Sequence, residues 1–344
     1  MRLLRIPATA ALLLLAACAN GSQPAAHARA PGHGGQQLTI SQARQAFSAF
    51  LPQLVQLPVT YSPSEARLLT TDAELQAVLY FRSQPAGPPV ALLTHEVFYV
   101  PLLTGYPRWF LAAGQQPSAG RPAGRVFVMV QSTPAAPWRA AIGLYDFGSS
   151  SGMLYQLASA VATDSAGYAR AVPLSDPALV VAPSAMPATY ARYLDAKTSP
   201  AVAGLFQHGP NTTGYISLDR QIARGAGRYG WQDTDHQAPA QLPVYALRLN
   251  TGGAIVIFST YDTVTWRALS SSAAHPAHAS QAESNYVPPT LIMDRLGITT
   301  VKAGTRISAT AVDSILAGVQ PKGVGFIYPL IFNGALTGAS SRAS

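Results

Sequence analysis

The stretch Gly148 to Gly152, GSSSG, has the Gly-x-Ser-x-Gly spacing of a nucleophile elbow, with Ser150 at its centre. In such an elbow a sharp turn between a buried parallel strand and a helix lifts the serine above a sheet, where a histidine activates it. The surroundings of Ser150 do not match: the strand before it belongs to a run of closely joined strands. No ordered Asp-then-His pair stands out downstream, although Asp235, His236, His275 and His278 follow. A Ser/Gly loop is the expectation, and a cell-envelope serine hydrolase using Ser150 is the alternative activity. Asp233, Asp235 and His236 fall together in WQDTDHQ, and His275 and His278 in HPAH. A zinc ion needs three or four such ligands converging from rigid elements, whereas both groups sit in expected loops. No metal or other cofactor is therefore expected. His95 and Glu96 are strand neighbours, which sends them to opposite faces and spoils them as an acid/base pair. Asn211 to Thr213, NTT, has the spacing of a glycosylation acceptor, a match that recurs by chance.

The aromatics Phe98, Tyr99, Tyr106, Trp109, Phe110 and Trp138 read as core and sheet-packing residues. If their sheet curves into an open cone, Tyr99, Trp109 and Trp138 are the candidates to line an apolar pocket at its mouth.

Export and solubility are legible in the first residues and the composition. MRLLRIPATAALLLLAACAN carries Arg2 and Arg5, then an apolar run centred on Leu12 to Leu15, then small residues, which is the form of a secretory signal. The run is far shorter than the ~20 residues a helix needs to cross a bilayer. LAAC, Leu15 to Cys18, resembles the bacterial lipobox. That resemblance implies cleavage before Cys18, a diacylglycerol on its thiol, and a protein tethered to the outer face of the cell membrane. Cys18 is the single cysteine, so no intrachain disulfide supports the fold. Charged residues make up 11% of the chain and apolar ones 48%, so the surface must rest on neutral polar groups. The net charge of +8 falls to +6 once Arg2 and Arg5 are removed with the signal. A modest positive field of this kind favours anionic headgroups or acidic wall polymers. With no run of Lys or Arg, nucleic acid is not an expected partner. Residues 18–37, rich in Ala, Gly, Pro and Gln, read as a flexible tether.

The elements that must position these side chains begin at Thr39. Thr39 and Gln42 form a capping-box pattern ahead of Ile40, Ala43, Phe47, Phe50, Leu51 and Leu54 at helical spacing. Pro52 is expected to end or kink that helix near Leu51. Thr71 and Glu74 repeat the capping pattern before Leu75, Val78, Leu79 and Phe81. From about residue 90 the period changes to two, in HEVFYVPLL, PRWFLAAG, GRVFVMVQS and WRAAIGLYDF, joined by short connections that force antiparallel pairing. A hairpin is expected in VATDSAGYARAV. The proline-rich segment 173–188 marks a joint between halves. Beyond it, PATYARYLDA opens a helix at Pro187 with Tyr190, Tyr193 and Leu194 on one side, and GYISLDRQIARG continues as a helix ending at Gly225. Strands return in RYGWQDTD, PVYALRLN and AIVIFSTYD, and two more flank the turn Pro321-Lys322-Gly323. The polar loop SSSAAHPAHASQAESN lies between.

At an offset of 128 residues, VFVMVQSTPAAPWRA (126–140) falls on AIVIFSTYDTVTWRA (254–268), with Trp138-Arg139-Ala140 on Trp266-Arg267-Ala268. Both read as strand, turn and returning strand, which points to duplication. The expected fold is α+β: two similar domains, 38–180 and 181–344, each of helices followed by a curved antiparallel sheet, after a signal peptide at 1–17. This order of elements resembles cystatin-like and nuclear-transport-factor-like domains. At whole-chain level LAAC, FYVPLLTGYPRWF (98–110), LFQHGPNTTGY (205–215) and PKGVGFIYPLIFNG (321–334) resemble an actinobacterial secreted lipoprotein of uncharacterised function. The expected function is non-enzymatic: a protein anchored through Cys18 that binds a small apolar ligand or another envelope protein.

Overall fold

The apolar runs VFVMV and AIVIF become interior strands of two sheets, β3 (Ala123–Gln131) and β7 (Ala254–Ala268). The computed structural model describes residues 37–60, 62–81, 92–117, 123–146, 160–195, 200–273 and 290–342. The leader, Cys18, the tether up to residue 36, Ser150, His275 and His278 lie outside the described residues. The first sheet is the expected meander of β1 (Thr94–Tyr99), β2 (Arg108–Gln116), β3 and β4 (Arg139–Asp146), antiparallel throughout. The second has β5 (Trp231–Pro239), β7, β8 (Arg306–Val319) and β9 (Ile327–Arg342) in order, with β6 (Tyr245–Arg248) beside the first half of β7. Helices α1 (Ile40–Thr60), α2 (Pro63–Leu69) and α3 (Asp72–Phe81) precede the first sheet. Helices α4 (Met186–Leu194), α5 (Pro200–Ala203) and α6 (Tyr215–Arg228) precede the second, and α7 (Thr290–Arg295) sits between β7 and β8. The protein is thus α+β with two antiparallel sheets.

Strand alternation builds four layers from these parts. On β2 and β3, Phe110, Ala112, Phe127 and Met129 face α1, packing on Phe47, Phe50, Leu51 and Leu54. Their neighbours Leu111, Ala113, Val126 and Val128 face the second sheet, where they meet Tyr245, Ile255, Ile257, Val312 and Leu316. On the far side of the second sheet Ala254, Val256, Phe258, Ile315 and Ala317 pack on Tyr190, Tyr193 and Leu194 of α4. Further along, Trp231, Trp266, Ile307 and Ala309 pack on α6 and α7 through Ala226, Ile292 and Met293. Where the two sheets overlap, both faces of each are covered, which is why VFVMV and AIVIF are continuous apolar runs without a polar side.

The capping box at the start of α1 forms as expected: the Thr39 N–H donates to Gln42 Oε1 at 2.9 Å and the Gln42 N–H to Thr39 Oγ1 at 3.1 Å. Pro52 does not end the helix, which runs on to Thr60. Leu54 and Leu57 are 2% and 4% exposed, so burial of the next turns against β-sheet side chains outweighs the donor lost at Pro52. The box expected at Thr71 and Glu74 gives way to tertiary contacts. The Thr71 N–H donates to the Ala140 carbonyl of β4 at 2.8 Å, and the Glu74 carboxylate accepts from the Gly143 N–H of β4. Helix α6 also passes the expected stop, because Gly225 lies on its buried face with Ile222 and Ala226.

The hairpin expected at 161–172 turns at Asp164, whose Oδ1 accepts from the Ala166 and Tyr168 N–H groups at 2.9 Å each. The proline-rich segment is fastened to the second sheet. The Val180 N–H donates to the Gln320 carbonyl at 3.0 Å, the Lys322 N–H to the Ala178 carbonyl at 2.8 Å, and Asp176 pairs with Arg248. The Ala178 N–H and the Arg248 guanidinium hold the Asp176 carboxyl below its ordinary value. Between the sheets, the Asn333 amide of β9 bonds both backbone groups of Tyr145 on β4: it accepts from the N–H and donates to the carbonyl at 2.9 Å.

The two stretches that match at an offset of 128 take different shapes. Residues 126–140 make strand, turn and returning strand, whereas 254–268 form one uninterrupted strand of 15 residues. Pro134 and Pro137 break the first; the second has Asp262 and Thr265 at those positions, both able to donate to the ladder, and the β-branched Thr263, Val264 and Thr265 extend it. In that register Phe127, which faces α1, falls on Ile255, which faces the other sheet.

Because one strand serves two cores, truncating neighbours on its opposite faces should destabilise alike. Phe110→Ala is expected to lose about 3–5 kcal/mol and Leu111→Ala about 2–5 kcal/mol in urea unfolding, since both are fully buried. A near-neutral Leu111→Ala would mean that the second sheet does not cover this face.

Candidate functional site

Of the three aromatics expected to line one pocket, Tyr99 and Trp109 point between the sheets, with Trp109 edge-on to Tyr245 at 5.2 Å. Trp138 packs on the opposite face of the first sheet, edge-on to Phe110 at 4.9 Å. A sheet with both faces covered has no open cone, and the three residues share no cavity. Asp235 and His236 are also parted by strand alternation. Asp235 lies on the helix-covered face of β5, while the His236 ring is exposed and meets Asp195 Oδ2 at 3.4 Å. They form no acid/base pair. Among the described residues no group of three or more His, Cys, Asp or Glu is arranged to hold a metal ion.

Asp235 belongs instead to a polar belt that crosses the second sheet between its two apolar clusters. Register places Asp235 and Gln237 of β5, Thr260 and Asp262 of β7, and Asp313 of β8 on one face. The π-helical turn Pro210–Gly214 leads into α6 and sets Tyr215 over them. Asn211 in that turn donates to the Pro329 and Leu330 carbonyls of β9 at 3.2 and 3.3 Å, so the NTT asparagine is a fastening residue. The Tyr215 hydroxyl lies 3.2 Å from Asp262 Oδ2 and 3.4 Å from Asp235 Oδ2, able to donate to one at a time, and accepts from Gln237 Nε2 at 3.3 Å. Asp313, 2% exposed, accepts from Gln237. Burial, reinforced by the charge of Asp235, pushes the Asp313 carboxyl well above its ordinary 3.8.

A second buried group sits on the α1 side of the first sheet. Arg125 is 4% exposed and stacks on the Tyr145 ring at 3.6 Å, with the Glu74 carboxylate nearby. Burial pulls the guanidinium down to about 10 and pushes the Tyr145 hydroxyl, which donates to Gln116 Oε1 at 3.1 Å, up to about 12. The Glu74 carboxyl is raised by burial against the opposing pull of Arg125 and the Gly143 N–H.

The part of the molecule with both chemistry and access is the other face of the second sheet, past the region the first sheet covers. There the inward-facing residues change from Ile255, Ile257 and Tyr261 to Thr263, Thr265 and Arg267 along β7. Register aligns Gln232, Arg267, Arg306 and Arg342 in one row across β5, β7, β8 and β9, all exposed. The next row is Thr234, Thr265, Ser308 and Ser340, tied together by a Thr265–Ser308 hydroxyl bond of 3.0 Å. Thr263 and Thr310 bond in the same way at 3.1 Å in the row beyond. A hollow of about 280 Å³ opens here, lined by Gln232, Thr234, Thr265, Arg267 and Arg306. Among the described residues none of the three arginines has an ion-pair partner. Like charges placed directly opposite on neighbouring strands repel, so this row is costly as built.

These features define a four-layered α+β protein with a hydroxyl-lined, arginine-edged open sheet face. The family model described as "Domain of unknown function (DUF8094)" matches residues 64–295, more than half of the chain, and the chain belongs to that family. The matched stretch includes Arg267 but ends before β8 and β9, which carry Arg306 and Arg342. No curated protein and no solved structure matches the chain.

The raised Asp313 carboxyl has a signed consequence. A group that binds its proton more tightly folded than unfolded stabilises most at low pH, and that contribution is lost as pH rises from 3.8 through the raised value. Asp313→Asn should therefore unfold at higher urea than the parent at pH 8. It should also lose the parent's decline in stability above pH ~4. Parallel pH profiles for the two proteins would contradict this.

Proposed function

We propose that this chain is a lipid-anchored extracytoplasmic protein on the outer face of the cell membrane, and that it works by binding rather than by catalysis. The observation that carries the binding reading is the open face of the second sheet, where unpaired arginines and bonded hydroxyls surround an accessible hollow. Exposed cations and hydroxyls form a recognition surface for a polar, anionic partner. This replaces the small apolar ligand suggested by Tyr99, Trp109 and Trp138, which do not converge. The anchor reading is supported by the signal-like leader and the LAAC stretch ending at Cys18. No helix of the described residues is long and apolar enough to cross a membrane.

We also read the two halves, 38–180 and 181–344, as related units. Each contributes a helical layer and then an antiparallel sheet, and the layers stack as helix, sheet, sheet, helix. The order supports kinship of the cystatin-like or nuclear-transport-factor-like kind; the offset-128 match does not, since its two strands face different layers.

Labelling cells with a palmitate analogue tests the anchor. The expected result is a labelled protein in the membrane fraction for the parent and an unlabelled protein for Cys18→Ala. Equal labelling of the two would overturn the anchor while leaving the binding face untouched.

A further inference from the structure

We infer that the open face of the second sheet is a site for an extended polyanion whose phosphates are linked through hydroxyl-bearing units, as in a phosphodiester-linked polyol or glycan. The inference rests on the binding reading above and names the ligand class of that same face. Three observations on the sheet converge on it.

The first is the arginine row. Arg267, Arg306 and Arg342 occupy directly opposed positions on three consecutive strands, so the three charges run across the sheet in a line. Neighbouring Cβ atoms in such a row are about 5 Å apart. A single anion can satisfy two of these side chains; a chain of anions crossing the strands satisfies all three and relieves their mutual repulsion. The planar guanidinium fork suits phosphate oxygens bidentately, and phosphate has oxygens left over for a second donor.

The second is the hydroxyl ladder behind the row. Thr234, Thr265, Ser308 and Ser340 stand one side-chain step from the arginines, and Thr263 and Thr310 one step further. Hydroxyls both donate and accept, so they match the alcohol groups of a polyol or sugar as well as phosphate oxygens. A carboxylate accepts but does not donate, so it uses only part of what these hydroxyls offer.

The third is shape. The hollow between the arginines and the hydroxyls, about 280 Å³, is bounded by Gln232, Thr234, Thr265, Arg267 and Arg306. Its lining holds no apolar side chain that would enter a bilayer. The molecule supplies its own control. Helix α6, on the opposite side of the same sheet, carries Arg220, Arg224 and Arg228 as an exposed stripe of equal charge. Arg224 and Arg228 line a hollow of about 340 Å³, but the stripe has no registered row of hydroxyls.

The test is titration of the purified intact protein with poly(glycerol phosphate), polyglutamate and phosphatidylglycerol vesicles. Poly(glycerol phosphate) is expected to bind about tenfold or more tighter than the other two, with log K falling linearly with log salt. Changing Arg267, Arg306 and Arg342 together to Gln should weaken binding by about thirtyfold or more and flatten the salt slope by about one unit per arginine. Changing Arg220, Arg224 and Arg228 to Gln should alter binding by less than about threefold, the size of a loss of general attraction. If the first triple variant does not fold, Arg306→Gln alone, at the centre of the row, should still weaken binding about fivefold or more. That variant should also melt no lower than the parent, because it removes repulsion. Equal binding of polyglutamate, equal losses from the two arginine triplets, preference for vesicles, or an Arg306→Gln variant that binds as the parent does would each overturn the site. Palmitate labelling of Cys18 is unaffected by any of these results, so failure here is distinguishable from failure of the anchor.

Discussion

The packing of one sheet on the other is the constraint from which the rest follows. Leu111, Val126, Val128 and Ile142 on one side meet Ile255, Ile257, Val312 and Leu316 on the other, and none is more than 2% exposed. With helices on the outer faces, each interior strand is buried on both sides, and no position along VFVMV or AIVIF can carry a polar group. Polarity is displaced to places where a layer ends. The second sheet is longer than the first, since β7, β8 and β9 have 15, 14 and 16 residues against at most nine in the first sheet. The overhang is where Thr263, Thr265 and the arginines stand.

The same constraint explains the polar belt. Asp235, Gln237, Thr260, Asp262 and Asp313 lie on the helix-covered face, and a buried side chain of this kind persists only with partners. Tyr215 and Gln237 supply them, and Tyr215 is delivered by a turn that Asn211 pins to β9. This reads as a bonded seam between two apolar clusters, with one carboxyl, Asp313, held in a setting that favours its proton.

Much of the secondary structure was legible because it is local. The Thr39–Gln42 box, all four strands of the first sheet, the helix opening at Pro187 and the pair of strands across Pro321 to Gly323 follow from capping, turn chemistry and period. A further box, Ser62 with Glu65 and Pro63 in the first turn of α2, is equally readable as S-x-x-E. What the sequence could not disclose is tertiary. Pro52 is carried inside a helix because Leu54 and Leu57 are buried beyond it. Glu74 leaves its capping role for Gly143. The candidate site was hidden for the same reason: Arg267, Arg306 and Arg342 are scattered singly along the chain, and only strand register makes them neighbours. The offset-128 match reflects two doubly buried apolar runs, VFVMV and AIVIF, rather than two copies of one hairpin.

The outer edge of β4 has one more consequence. An edge strand with free N–H and C=O groups is a template on which a strand of another molecule can add. Along β4, the Ala140 carbonyl is taken by the Thr71 N–H, the Gly143 N–H by the Glu74 carboxylate, and both groups of Tyr145 by the Asn333 amide. The first is a single parallel backbone bridge, Thr70 with Ala140, and the other two partners are side chains. The edge is therefore closed to accretion without becoming part of a larger sheet, a form of protection against aggregation that uses one carboxyl and needs no barrel closure, in a chain that has few charges to spare.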